Sequence, residues 1–315
     1  MARYLLNRLV ALVVIVFMVS VGACFVVRLL PGNPAIAILG RNATPHNEAV
    51  LNAQLGLNKP LYEQYFVWIG HILQGNLGKS FVTGQSVTNI IANAFPVDLE
   101  LIVISQLIAF TVAVPLALFS ARRPNKALDR YSTTATFAGL ALPPFIIAPV
   151  LVVVFATHFH VFPGPGSYVP LSQGLWTNLH AMILPSIVPA IGSIVVYFRL
   201  LRNDLIATLQ EEFITVARSK GLSDRRILLR HALRPSSISL LASAGINIGS
   251  LIAGTFVVEF LLQLPGLGYE LVTGIGQDDY VVVQSLVLVI AVAVVVVNFA
   301  VDFLFTVVDP RIARG

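Results

Sequence analysis

The chain of 315 residues is 57% hydrophobic and 11% charged, carries a formal net charge of +5 and contains one cysteine. A soluble globular chain carries about 25% charged residues, so most of this surface does not face water. The lone Cys24 excludes an internal disulfide framework and a cysteine-rich metal site.

A helix needs about 20 mostly apolar residues to cross hydrocarbon, where no backbone group is left unpaired. Six stretches qualify: 9–27, 97–119, 131–156, 179–200, 236–262 and 281–307. The first contains Val21-Gly22-Ala23-Cys24, which looks like a lipoprotein cleavage box after a charged start. The apolar run continues through Phe25-Val26-Val27 and exceeds a usual signal core, so it is read as a span. The segment 28–96 is too long for a simple connection. Leu61, Tyr65, Trp68 and Ile72 recur there at helical spacing and predict a short amphipathic helix at the interface, either packed on the membrane surface or docking an external partner. Gly75-Asn76-Leu77-Gly78-Lys79-Ser80 ends like a phosphate-binding loop, but Leu73 stands where that motif needs glycine. It is not a nucleotide site.

Pro143, Pro144 and Pro149 in the third span, and Pro185 and Pro189 in the fourth, predict kinks without breaks. His158, His160 and His180 lack the cysteine or carboxylate neighbours of a metal set and are read as interfacial polar residues. No catalytic constellation can be argued from spacing, so the chain is not read as an enzyme. Ser105, Gln106, Thr111, Asn247 and Asn298 lie at depth, where polar groups either hydrogen-bond between helices or line a polar substrate path. Asp98, Glu100, Glu259 and Asp302 fall near span ends, within expected reach of water. Gly245, Gly249 and Ala253 recur every fourth residue, with Ser250 and Gly254 beside them, a face on which a neighbouring helix, in this chain or a partner subunit, comes close.

Lysine and arginine set the orientation. The N-terminus, 120–130, 199–234 and the tail hold 16 of the 20 basic residues; the alternate set holds only Arg28, Arg41, Lys59 and Lys79. Both termini are therefore expected in the cytoplasm. This division by membrane side also removes the case for nucleic acid, which needs a basic aqueous face.

The segment 211–235 carries the most information. Helix-forming residues run to Lys220, and Gly221 is suited to a left-handed helix end. Ser223 is a candidate N-cap for a second helix with Asp224 in its first turn, and Pro235 is expected to limit that helix. Arg226, Arg230 and Arg234 share one face; Ile227, Leu228, His231 and Ala232 cover another. Periodicity alone fits a basic amphipathic helix on anionic headgroups as well as it fits a protein contact.

The run Ala217-Arg218-Ser219-Lys220-Gly221-Leu222-Ser223, with Arg225-Arg226 and Leu229-Arg230-His231-Ala232-Leu233-Arg234 after it, resembles the EAA loop of ABC importer permeases. More narrowly it resembles the dipeptide, oligopeptide and nickel permease family. Arg28-Leu29-Leu30-Pro31-Gly32-Asn33-Pro34, Leu55-Gly56-Leu57-Asn58-Lys59-Pro60-Leu61, Gly75-Asn76-Leu77-Gly78, Pro265-Gly266-Leu267-Gly268 and Asp309-Pro310-Arg311-Ile312 follow the family's order. The resemblance implies an all-α, polytopic type I importer permease of six transmembrane helices, with coupling helices between spans four and five. Its expected organisation is an N-terminal helix (1–30), an external region (31–96) and a core transmembrane domain (97–315).

It further implies a second homologous permease subunit about a pseudo-two-fold axis, two ATPase subunits or domains, and an external substrate-binding protein. ATP and magnesium would belong to the ATPases, with no cofactor in this chain. By match to the motif, Thr215, Ala217, Gly221, Arg225, Arg226, Arg230 and His231 are the ATPase-coupling positions. Thr215-Val216-Ala217 stands where the generic motif has Glu-Ala-Ala, a departure shared by the peptide branch. The implied cargo is di- or oligopeptides, with nickel or another small solute as the alternative. An ion-coupled secondary transporter would need internal repeats and embedded ionisable groups, which the sequence does not display.

Overall fold

The computed structural model describes residues 2–29, 34–39, 44–54 and 58–308. The motif residues 30–33, 55–57 and 309–312 lie outside them. The described residues are almost entirely helical, with no β-sheet and one isolated bridge between Lys79 and Ser86. In chain order the helices are α1 (Ala2–Leu29), α2 (Pro34–Leu39), α3 (Pro45–Gln54), α4 (Leu61–Leu73), α5 (Val87–Arg122), α6 (Ala127–Ala141) and α7 (Pro144–Leu151). Then follow α8 (Leu175–Thr208), α9 (Glu212–Ser219), α10 (Asp224–Arg226), α11 (Leu233–Gly254), α12 (Phe256–Leu262), α13 (Leu267–Gly276) and α14 (Tyr280–Val308). The chain is an all-α polytopic membrane protein. By length and composition α5, α8, the helix from Asp224 to Gly254 and α14 can each cross a bilayer, and α6 with α7, like α12 with α13, form bent pairs.

The centre of the bundle is α5 packed along α8. Ala109, Ala113, Ala117 and Ala121 recur every fourth residue on α5 and are all buried against Tyr197, Phe198, Leu201 and Leu205 of α8. Between membrane helices lipid tails supply no hydrophobic drive, so small residues that let backbones approach are what hold the pair. Leu228 and Ala232 join this cluster at one end. At the other end Val97 and Leu101 of α5 pack with Met182, Val258 and Leu264, and Val87, Ile90 and Ala94 pack with Leu267, Val282 and Leu286. The predicted amphipathic helix is α4, which docks on α1: Tyr65 is buried, its hydroxyl 2.7 Å from Ser20 Oγ and its ring edge-on to Phe17.

Three expectations change. The third span is broken, not kinked: α6 stops at Ala141 and α7 restarts at Pro144. The residue before a proline is pushed to extended backbone, and Leu142 and Pro143 are both extended. Pro185 and Pro189, by contrast, sit inside an unbroken α8. The predicted fifth span, 236–262, divides at Thr255 between α11 and α12. Pro235 does not limit its helix either. The chain from Asp224 to Gly254 runs through a wide π turn at Ile227–Ala232 just ahead of it, which makes room for the proline ring against the preceding carbonyls.

Candidate functional site

The segment 209–234 forms a helical hairpin at one end of the bundle. α9 ends at Ser219, and Gly221 takes the left-handed conformation (φ +74°) that a β-carbon disfavours. α10 starts after Ser223, which has an N-cap's extended backbone, although its side chain makes no capping bond. Ile214, Ala217 and Ile227 bury one another between the two arms, with Leu209 and Leu222 at the edge. Of the motif positions, Thr215, Gly221, Arg225, Arg226 and Arg230 are exposed, Ala217 is buried inside the hairpin and His231 is half-buried. Among the described residues no carboxylate lies within ion-pair distance of Arg225, Arg226 or Arg230. Phe213, Val216 and Leu229 are also exposed, so the hairpin presents an apolar patch beside its cations. Leu228 and Ala232 tie it to α5 and α8, and the Thr208 and Ser236 hydroxyls meet at 3.0 Å.

Deep in the bundle a polar knot joins α5, α8 and α11. Gln106 Nε2 donates to Asn247 Oδ1 at 3.0 Å, Ser193 Oγ donates to the same oxygen at 2.8 Å, and the Tyr197 hydroxyl donates to Gln106 Oε1 at 2.6 Å. Phe110 stacks on the Tyr197 ring. Each such interhelical bond is worth roughly 1 kcal/mol. Gly245 and Gly249 are buried on α11. At Gly249 the approaching helix is α14 of the same chain, for a β-carbon there would strike the Asn298 amide. Ser250, Ala253 and Gly254 stay exposed.

The opposite end is organised by carboxylates. Asp98 and Glu259, expected to reach water, are 6% and 1% exposed. Both Asp98 oxygens accept the Leu267 N–H at 3.2 Å, and Glu259 Oε2 accepts the N–H groups of Gly268 (2.7 Å) and Tyr269 (3.2 Å). Together they satisfy the orphan donors at the start of α13. Glu100 is half-buried and accepts from the Tyr168 hydroxyl and from Asn178 Nδ2 (2.7 Å). Burial and the adjoining Glu100 carboxylate push the Tyr168 phenol up to about 12, so it remains a donor. Asp279 accepts from Ser80 Oγ at 2.5 Å, and Ser285 donates to the Leu77 carbonyl. The stretch that resembled a phosphate loop is thus a turn pinned to the start of α14. Among the described residues no group of three or more histidine, cysteine, aspartate or glutamate side chains could hold a metal ion.

The sequence profile of the binding-protein-dependent transport system inner membrane component matches residues 113–314, and the companion N-terminal profile matches residues 1–102. The chain belongs to this permease family. It is 31% identical over 312 residues to a probable peptide ABC transporter permease of Sinorhizobium fredii, covering 99% of each chain. It is likewise 31% identical over 314 residues to an oligopeptide transport system permease of Bacillus subtilis, again covering 99% of each. A nickel import system permease of Staphylococcus aureus is 32% identical over 312 residues, which is 98% of this chain and 91% of the relative.

Gln106, Asn247 and Asn298 were visible in the permease sequence because polar residues in apolar helices stand out. Ser193 and Tyr197 were missed, although their i, i+4 spacing on α8 puts both on one face. The exposed Phe213, Val216 and Leu229 were missed because apolar residues on a short helix read as core until burial is known.

Proposed function

We propose that this permease is one transmembrane subunit of an ATP-driven importer that moves di- or oligopeptides into the cell by alternating access. In this reading both termini and the 209–234 hairpin face the cytoplasm. ATPase chains bind the hairpin, a substrate-binding protein docks at the carboxylate-rich end, and a second permease subunit completes the path. ATP and magnesium reside in the ATPases.

The observation that carries the reading is the hairpin. Its arginines are exposed and form no ion pair among the described residues, its apolar residues face outward, and its inner face is bolted to α5 and α8. Such a surface meets a moving partner without first breaking internal ion pairs. Its anchorage passes the displacement to the spans, the bistable mechanical element that alternating access needs. Thr215, Gly221, Arg225, Arg226 and Arg230 supply the contact surface, while Ala217 and His231 hold its shape. The Gln106–Ser193–Tyr197–Asn247 knot lies where three helices must move together or part. The relatives named for peptide transport support peptide as cargo, and the nickel permease relative supports a divalent cation as the second reading.

The test is Gly221→Val, which forces a β-branched residue into a left-handed conformation at a cost of about 1–3 kcal/mol. The variant complex should assemble and hydrolyse ATP while peptide uptake falls to background. Unaltered uptake, absence of a co-purifying ATPase, or chemical labelling of the hairpin only from outside the cell would refute the assignment. Uptake of Ni²⁺ and not of peptides would select the second reading.

A further inference from the structure

At the carboxylate-rich end a cleft of about 830 Å³ opens between the start of α5, the 168–172 loop and the start of α13. That volume lies within the range of ligand sites, roughly 300–1,000 Å³. Its walls carry Gln85, Asn93, Glu100, Tyr168, Ser172 and Glu270, and among the described residues no lysine, arginine or histidine lines it. The two carboxylates come from different helices and differ in support. Glu100 is held by Tyr168 and Asn178, whereas the half-buried Glu270 carboxylate makes no hydrogen bond among the described residues. Asn178, fully buried beside Glu100, gives its amide donors to Glu100 and to the Val169 carbonyl. Among the described residues the cleft thus carries two carboxylates and no cationic side chain, a wall that lacks positive charge.

We propose that this cleft receives the cationic amino end of the substrate, with Glu100 and Glu270 as its counter-charges. The inference rests on the peptide reading above and adds which end of the peptide this subunit holds. An ammonium group brings one positive charge and three donors, which the two carboxylates can accept. A divalent cation shares the charge chemistry, but it takes a closed set of donors at short range, and no group of three or more such side chains forms among the described residues.

The experiment uses the purified permease–ATPase complex without its binding protein. A fluorescent peptide with a free amino terminus and its N-acetylated twin are titrated, each with and without NiCl2. Wild type should bind the free-amine peptide about tenfold more tightly, the size of one hydrogen bond to a charged group. Glu100→Gln and Glu270→Gln should each erase that preference and leave the acetylated peptide unchanged. Glu270→Gln removes no hydrogen bond among the described residues, so its result does not depend on a folding defect. Equal affinities in wild type, an unchanged preference in both variants, or a parallel loss for both peptides would overturn the proposal. So would Ni²⁺ binding that is lost in the variants while peptide preference stays. Peptide uptake is measured on the same wild-type complex in proteoliposomes with its binding protein. No uptake of either peptide there would remove the importer reading and this inference with it, whereas uptake without amine preference sinks this inference alone.

Discussion

The two ends of the bundle treat charge in opposite ways. At the hairpin end the cations of Arg225, Arg226 and Arg230 are exposed and have no ion-pair partner among the described residues. At the other end the carboxyl groups of Asp98, Glu259 and Asp279 are buried and bonded to backbone N–H groups and a serine hydroxyl. Exposed charge adds little to stability but remains free to meet a partner. Buried charge is costly unless fully bonded, and once bonded it specifies a shape. One end therefore leaves its charge open to a partner, and the other uses its carboxyl groups to hold its form.

Removing charge should separate the two ends, and the largest effect is expected at Glu259. Glu259→Ala leaves the Gly268 and Tyr269 N–H groups without their acceptor, at about 1–3 kcal/mol for each buried donor. Thermal denaturation of the detergent-solubilised protein should show a marked loss, and a midpoint within error of wild type would break the comparison. Gly266→Ala comes next, because a β-carbon there would collide with both Asp98 and Glu259. Overpacking of that kind costs about 1–3 kcal/mol, read in the same assay.

Asp129 sharpens the comparison because it is the buried anion of the hairpin end. Its carboxylate accepts from Arg202 Nε (2.5 Å) and Nη2 (2.7 Å) and from the Asn125 N–H (2.8 Å). The Arg202 bond holds its carboxyl below the usual aspartate range. A depressed folded value means the contribution is complete above the unfolded value of about 3.9 and is lost as pH falls through the folded one. Asp129→Asn should cost about 1–2 kcal/mol at neutral pH. Its stability should then approach wild type as a pH series moves below about 4. A parallel offset at every pH would show that the ion pair is not the cause.

The smallest stability effect belongs to the double change Arg225→Ala with Arg226→Ala. It should leave the melting midpoint nearly unmoved, within about 0.5 kcal/mol, while ATPase co-purification drops. A stability loss as large as that of Glu259→Ala would show that these arginines are structural after all.

Much of this was legible before any coordinates. Gly221 could be placed at a helix end because only glycine takes a left-handed backbone without penalty, and Tyr65 could be placed on a helix by its spacing. The break at Pro143 was misread as a kink, since membrane helices often absorb proline and the pair Pro143-Pro144 does not announce which outcome applies. Asp98 and Glu259 were read as wet because both lie near the end of an apolar run. The N–H that Asp98 caps is 169 residues further along the chain.

What the sequence determined by itself is everything that depends on local pattern: membrane residence, approximate spans, the concentration of positive charge in alternate connecting segments, and the bent basic segment that marks the family. These follow from transfer free energy and backbone preference, which act residue by residue. Tertiary structure alone decided which polar groups meet. The Gln106–Ser193–Tyr197–Asn247 knot, the Arg202–Asp129 pair and the buried Asp98 carboxyl at α13 each join residues from helices far apart in the chain. Hydrogen bonds and charge pairs act only at contact distance, and contact is made by packing.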